Sequence, residues 1–285
     1  MHIYMNGRIL KESEWSVSLL DHGFLYGAAC FETFRTYDGH PFLFEDHWER
    51  LKRSLNALQV EWSMTKDECL DALQLLLAQE VEQDRYIRLT VTAGEEGIGL
   101  SGRPYQAPNV IMYSKALDKN APVRKKGHFL RTRRNTPEGD FRMKAHHYIN
   151  NILARQEVKD TQTEGLFLSQ GGHVAEGILS NLFWVKERVV YTPDCCTGAL
   201  DGITRQFVLR LCDVLGIKAE IGCYTPEHAL SASEAFVTNS VQGIVPLIGM
   251  GDNEMVVEDS TITQQLQKAY QEYTHHLMGR NEIGL

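Results

Sequence analysis

Four stretches of this sequence combine residue types that do chemistry with a spacing that could aim them. The first is FRMKAHHYINNILARQEV (141–158), where Lys144 stands just before an expected helix with His146, His147 and Tyr148 behind it. A lysine amine becomes a nucleophile and a base when desolvation or nearby charge lowers its pKa, and it then forms Schiff bases. The plain alternative is a solvated surface lysine, which most lysines are. Tyr148 comes one helical turn later, placed either to face the same spot or to pack in a core.

The second stretch is HVAEGILSNLFWV, in which Glu176 ends a strand ahead of Gly177, a residue that lets the backbone turn sharply. Most such glutamates face water. Held against a protonated ring nitrogen, a glutamate would keep that nitrogen charged, as an electron-sink cofactor requires. Ser180 and Asn181 are supporting hydrogen-bonders or turn formers. In the third, LDGITRQFVLRL, Gly202-Ile203-Thr204 leads straight into a helix. Unpaired N–H groups and the positive end of the helix dipole suit a phosphate there, and an ordinary threonine N-cap is the simpler use. Ser240 in FVTNSVQG is a comparable loop donor or a turn serine. The fourth is Arg50 in HWERLKRS, beside an apolar stripe, as a phosphate clamp or a snorkelling arginine.

Other features carry less. The adjacent pairs His146-His147 and His275-His276 cannot share a helix face, which argues against a metal site. GEEGIGLSG is glycine-rich but has neither a Walker lysine nor a GxGxxG leading into a helix, so it reads as a loop between strands.

The elements that must position these residues follow from pattern. HIYM and RIL flank Asn6-Gly7, and CFETFRTY and HPFLF flank Asp38-Gly39, so each pair predicts a hairpin. Trp48, Leu51, Leu55 and Leu58 recur at helical spacing, and KDECLDALQLLLAQE predicts a second helix. RYIRLTVTAG, NVIMYSKAL and HFLRTRR read as strands. The helix after Lys144 should place Ile149, Ile152 and Leu153 on one apolar face. GLFLS with HVAEG, and LFWV with VVYTP, are further hairpins. A helix over RQFVLRLCDVLG is capped by Gly216, two strands follow, and TITQQLQKAYQEYTHHLM closes the chain as a helix. The polar segment 118–127 reads as a linker between an α/β domain at 1–117 and a cofactor-binding domain at 128–285. The expected class is α/β of the α+β type, with mixed and antiparallel sheets.

The 285 residues are 43% hydrophobic and 23% charged with a net charge of −8, a globular composition that argues against a nucleic-acid or membrane-surface partner. Six cysteines without a CxxC pair suggest reduced thiols, and no signal-like N-terminus or long apolar run is present, so a cytoplasmic location is expected.

In chain order, Arg50, Lys144, the E-G-x-x-S-N-x-F stretch from Glu176 to Phe183, and the G-I-T-R step from Gly202 to Arg205 resemble the class IV pyridoxal-phosphate-dependent aminotransferases. DHGFLYGAACFETFR (21–35) is similar to the N-terminal signature of that family. The resemblance implies a homodimer of two-domain protomers with pyridoxal 5'-phosphate at the domain interface. It implies that Lys144 carries the cofactor as a Schiff base and that Glu176 faces its ring nitrogen. Arg50, Thr204, Ser240 and the backbone of Ile203 would hold the phosphate, with Tyr148 near the phenolic oxygen. Within the family, RRNTPEG (133–139), FRMKAHHYINN and VAEGILSNLFWVKERVVYTPD look most like 4-amino-4-deoxychorismate lyases, which release 4-aminobenzoate and pyruvate in folate synthesis. EEGIGL stands where D-amino-acid aminotransferases carry an R-x-H carboxylate trap. The alternative within the family is an aminotransferase of D- or branched-chain amino acids. A substrate with two carboxylates needs local positive charge, for which Arg35, Arg88 and Arg103 are candidates.

Overall fold

The computed structural model describes residues 2–100, 102–258 and 261–284, and the chain divides into two compact units. The first holds the chain up to Asp118 together with Met143–His147 and His275–Glu282; the second holds Lys119–Arg142, Tyr148–Thr274 and the stretch from Ile283.

In the first unit, β1 (His2–Met5) and β2 (Arg8–Lys11) are joined by Asn6 and Gly7 at φ 46° and 87°, the paired positive values a two-residue hairpin turn demands. Helix α1 (His22–Leu25) is capped by Asp21, whose carboxylate accepts from Gly23 N. Strand β3 (Ala29–Tyr37) turns at Asp38-Gly39 into β4 (His40–Pro41). Helix α2 (Phe44–Ala57) buries the stripe Phe44, Trp48, Leu51 and Leu55. Helix α3 (Lys66–Leu77) opens with a reciprocal Thr65–Glu68 capping box. Strands β5 (Arg85–Thr92) and β6 (Asn109–Ala116) complete an antiparallel sheet in the order β2-β1-β6-β5-β3-β4. Phe34, Ile87, Leu89 and Met112 meet α2 and α3 in one core. GEEGIGLSG lies between β5 and β6, its Ser101 outside the described residues, and His22 ties that loop down through Gly97 O at 2.9 Å and Tyr105 OH at 3.0 Å.

The second unit begins with β7 (Lys125–Phe129), so the expected linker is already strand from Lys125, and HFLRTRR leaves the sheet after Phe129. Both departures have one cause. The partners of β7 are remote parallel strands that local pattern does not reveal, and the N–H groups of Arg131 and Thr132 go to the Glu157 carboxylate instead of a ladder. Helix α4 (Ile149–Glu157) follows, then β8 (Thr163–Leu168), β9 (Val174–Gly177), β10 (Asn181–Lys186) and β11 (Val189–Pro193). After a 3-10 turn at Cys195–Thr197 come α5 (Ile203–Val214), β12 (Ala219–Gly222), α6 (Pro226–Leu230), β13 (Glu234–Asn239), β14 (Gly243–Met250), β15 (Asn253–Glu254) and α7 (Ile262–Tyr273). The sheet order is β12-β11-β10-β13-β14-β7-β8-β9, with β15 on β14. The pairs β11–β12, β14–β7 and β7–β8 are parallel, so the sheet is mixed, as the hairpin-rich sequence suggests.

Helix α4 turns the face that carries Ile149, Ile152 and Leu153 outward. Ile149, Ile152 and Leu153 are 71%, 55% and 49% exposed, while Asn151 and Ala154 are the buried residues. The inward face is fixed by polar bonds: Asn151 donates to Ile178 O and accepts from Arg134. Among the described residues no helix is long and apolar enough to cross a membrane, and no group of three or more His, Cys, Asp or Glu could hold a metal ion.

Candidate active site

Lys144 is not at a helix doorstep. The segment Met143–His147 runs beside β3: Phe31 N–H donates to Lys144 O at 2.9 Å, and His146 N–H donates to Ala29 O at 3.0 Å. Those two rungs hold Lys144 on extended backbone, and α4 starts only at Ile149, with Tyr148 as its N-cap. The one-turn relation expected between Lys144 and Tyr148 is therefore absent, and Tyr148 belongs to the second unit. Strand alternation sends Ala145 into the core and the side chains of Lys144 and His146 the other way. Lys144 Nζ lies 4.6 Å from the Phe31 ring centroid, and Arg88 Cζ lies 3.6 Å from the same ring. His146 Nε2 is buried with no hydrogen-bond partner among the described residues. Burial, then the charge of Arg88, pushes the His146 pKa down, so the ring is neutral at neutral pH.

Arg50 neither snorkels nor stands alone. Its Nε and Nη2 reach the two oxygens of Glu32 at 2.8 and 2.6 Å, a bidentate pair buried between β3 and α2. His47, one turn earlier on α2, meets Glu32 Oε2 at 2.6 Å. Burial alone would raise the Glu32 carboxyl, but the charge of Arg50 and the bonds from Arg50 and His47 outweigh it and bring the pKa down to about 2. Burial lowers the His47 pKa despite the opposing bond to Glu32, so His47 is neutral and donates from Nδ1.

A pH dependence follows. Above the ordinary glutamate value of 4.5 the Glu32 pair stabilises the fold in full. Between pH 4.5 and about 2 the unfolded chain takes up a proton that the folded chain refuses, and the contribution is lost. His47 adds a loss of the same sign below 6.5. Glu32→Gln, which leaves a buried arginine without its counter-charge, is expected to cost about 3–5 kcal/mol at neutral pH. It should also flatten the fall of the urea midpoint in that acid window. An unchanged midpoint at pH 7 would remove Glu32–Arg50 as a structural pair.

In the second unit, Glu176 is 5% exposed at the end of β9. Its Oε1 lies 2.7 Å from Arg134 Nε, close enough for an ion pair although the N–H is not aimed along the contact. Its Oε2 accepts from Leu200 N–H at 2.9 Å and, more weakly, from Asn181 Nδ2 at 3.5 Å. A carboxylate offers about four lone-pair sites, so capacity remains for a further donor. Arg134 is itself held by Asn150 Oδ1 at 2.7 Å, and Arg142 donates to Gly198 O close by. Burial and the charge of Arg134 lower the Arg142 pKa, which Glu176 partly restores. Ser180, by contrast, donates to Glu164, not Glu176.

Helix α5 has Gly202 as its N-cap with no side-chain cap, which sets aside the simpler threonine-cap reading. Gly202 fits against Asn181, where a Cβ would come within 1.9 Å of Asn181 Oδ1. Thr204 Oγ1 and Ser240 Oγ stand 3.4 Å apart, so the loop serine and the helix N-terminus do meet. Thr238 Oγ1, two residues before Ser240, is buried without a hydrogen-bond partner among the described residues. Uncapped N–H groups, two adjacent hydroxyls and a spare buried hydroxyl form a donor set that fits a phosphate.

The three candidate arginines separate. Arg35 is paired with Asp84, just before β5, at 3.0 Å and lies over Tyr37 of its own strand at 4.0 Å. Arg103 is exposed in the loop before β6. Arg88 alone shares the Phe31 ring with Lys144.

The family model described as amino-transferase class IV matches residues 29–248. The chain belongs to the class IV aminotransferases. In keeping with class IV membership, an aminodeoxychorismate lyase of Bacillus subtilis (strain 168) is 43% identical over 272 residues, 94% of this chain and 93% of that protein. A D-alanine aminotransferase of Bacillus licheniformis is 27% identical, covering 95% and 96%. Among solved structures, the branched-chain aminotransferase of the thermophilic archaeon Thermoproteus uzoniensis with norvaline matches with a TM-score of 0.86 at 28% identity, covering 95% of this chain and 94% of that one. The class IV signature did not reveal Glu32, His47, Arg134 or Leu200, which the fold gathers around the quoted residues. Arg134 lies within RRNTPEG and Glu32 within CFETF, but their partners are 42 and 18 positions away, beyond the reach of a local pattern.

Proposed function

We propose that this protein is an aminodeoxychorismate lyase that uses pyridoxal 5'-phosphate to convert 4-amino-4-deoxychorismate into 4-aminobenzoate and pyruvate for folate biosynthesis. The observation that carries the reading is the 43% identity with the Bacillus subtilis lyase across nearly the full length of both chains. The residues present fit the cofactor. Glu176 has an acceptor site to spare, and the start of α5 with Ser240 offers donors for a phosphate. When bound, the cofactor supplies an electron sink for charge that develops on the substrate.

Lys144 would hold the cofactor through its Nζ, and its amine would serve as the base for the proton on the ring carbon that bears the substrate nitrogen. Glu176, fixed by Arg134 and by Leu200 N–H, would face the cofactor's ring nitrogen and favour its protonated form. Thr204, Ser240, the Ile203 backbone and Arg50 would hold the phosphate, and Tyr148 would serve the phenolic oxygen. Arg88, on the Phe31 ring beside Lys144, takes a substrate carboxylate. Loss of the enolpyruvyl group leaves an aromatic ring, and that gain drives the reaction without an amino acceptor.

The purified protein with pyridoxal phosphate and aminodeoxychorismate should release 4-aminobenzoate and pyruvate in equal amounts with no added amino acid. Rapid amination of the cofactor by D-alanine or leucine, with no pyruvate from aminodeoxychorismate, would assign the chain to the aminotransferases instead.

The working form is a cytoplasmic homodimer. Six free thiols suit a reducing compartment. Ile149, Ile152 and Leu153, all exposed on α4, give a second copy an apolar surface to cover. Charging that surface with Ile149→Lys and Ile152→Lys together is expected to halve the mass in sedimentation equilibrium while leaving the circular dichroism intact. A double variant of unchanged mass would move the interface elsewhere.

A further inference from the structure

Cys196 and Cys223 take no part in the site described above, yet their Sγ atoms lie 3.2 Å apart on two exposed residues. The fold sets this distance. Strands β11 and β12 run parallel with Pro193 opposite Gly222, and Asp194 N–H donates to Gly222 O at 2.9 Å. Asp194 then caps the 3-10 turn by accepting from Cys196 N–H at 2.7 Å. Each cysteine thus follows the end of its strand by a short, bonded step. A disulfide bond is about 2.05 Å long, so closing the pair needs an approach of only about 1.2 Å. Cys195 is a neighbour in sequence but is partly buried.

We propose that Cys196 and Cys223 form a peroxide-driven, reversible disulfide site. A hydroperoxide oxidises one thiol to a sulfenic acid: its O–O bond breaks, one oxygen joins sulfur and the other leaves as an alcohol or water. The second thiol attacks that sulfur, the S–S bond forms, the S–O bond breaks, and water carries away the oxygen and the proton. The pair loses two hydrogens and the peroxide gains two electrons. A dithiol reverses the change by exchange. The Asp194 carboxylate, then the Cys223 thiol, pushes Cys196 up to about 12, which slows the reaction of Cys196 itself with peroxide.

The same turn continues to Gly198, whose carbonyl accepts from Arg142, and to Leu200, whose N–H holds Glu176 at 2.9 Å. Drawing Cys196 toward Cys223 pulls on that anchor. This consequence rests on the role proposed for Glu176, whereas the disulfide itself does not.

The test treats the folded protein with hydrogen peroxide, blocks remaining thiols with iodoacetamide and maps peptides without reductant. The expected result is a linked peptide joining Cys196 to Cys223, two hydrogens lighter than its parts, removed by dithiothreitol and absent in Cys223→Ser. A link through Cys195, or oxidation only to sulfinic acid, would overturn the site. In the wild type, the link should lower lyase turnover severalfold, with recovery on reduction, while Cys223→Ser turnover resists peroxide. A linked protein of undiminished turnover would overturn the coupling to Glu176.

Discussion

Lys144→Ala is expected to lose the visible absorption of the bound cofactor and to lower turnover by about 10⁴-fold, the upper end of what one positioned base contributes. Both roles proposed for this amine, the tether and the proton carrier, would vanish together. The fold should survive, because the backbone rungs to Phe31 and Ala29 do not involve the side chain, which is only half-buried. The absorption spectrum and the pyruvate assay therefore read chemistry while circular dichroism stays constant. Retention of both colour and turnover would leave the lysine without a role.

Glu176→Gln separates the proton on the ring from the tether. The amide keeps the shape and can still accept from Leu200 N–H, but Arg134, 5% exposed, loses its counter-charge. Breaking a buried pair of this kind costs about 3–5 kcal/mol of stability. Turnover should fall about 10²–10³-fold, as when one preorganised electrostatic group is removed. The cofactor should stay bound, held by Lys144 and the phosphate donors. Colour kept and activity lost is thus the signature of Glu176, distinct from the joint loss at Lys144. Near-normal turnover in the glutamine variant would separate Glu176 from the chemistry.

The sequence exposes what is local. Asn6-Gly7 announces its turn because the two positive φ values are a property of two adjacent residues. The Trp48–Leu51–Leu55 stripe shows its buried face because helical spacing repeats within one segment. Gly202-Ile203-Thr204 reads as a helix start for the same reason. What stays hidden depends on distant partners. Arg50 finds Glu32 only when α2 packs on β3, and β7 becomes a strand only between β14 and β8. In helix α4 periodicity marks the apolar side but not which way it faces, because the inward side is chosen by Asn151 bonding to Ile178 O. The extended backbone at Lys144 is likewise imposed by β3, overriding the apparent approach to a helix.

That imposed backbone limits how the amine can travel. With its carbonyl taken by Phe31 and the next rung at His146, residue 144 has no hinge of its own. Every displacement of Nζ must come from rotation about the four carbons of its stem. The span open to the proton transfer proposed for it is then a rotamer property, quick and short, and a longer or shorter side chain at this position should miss its target even with an intact charge.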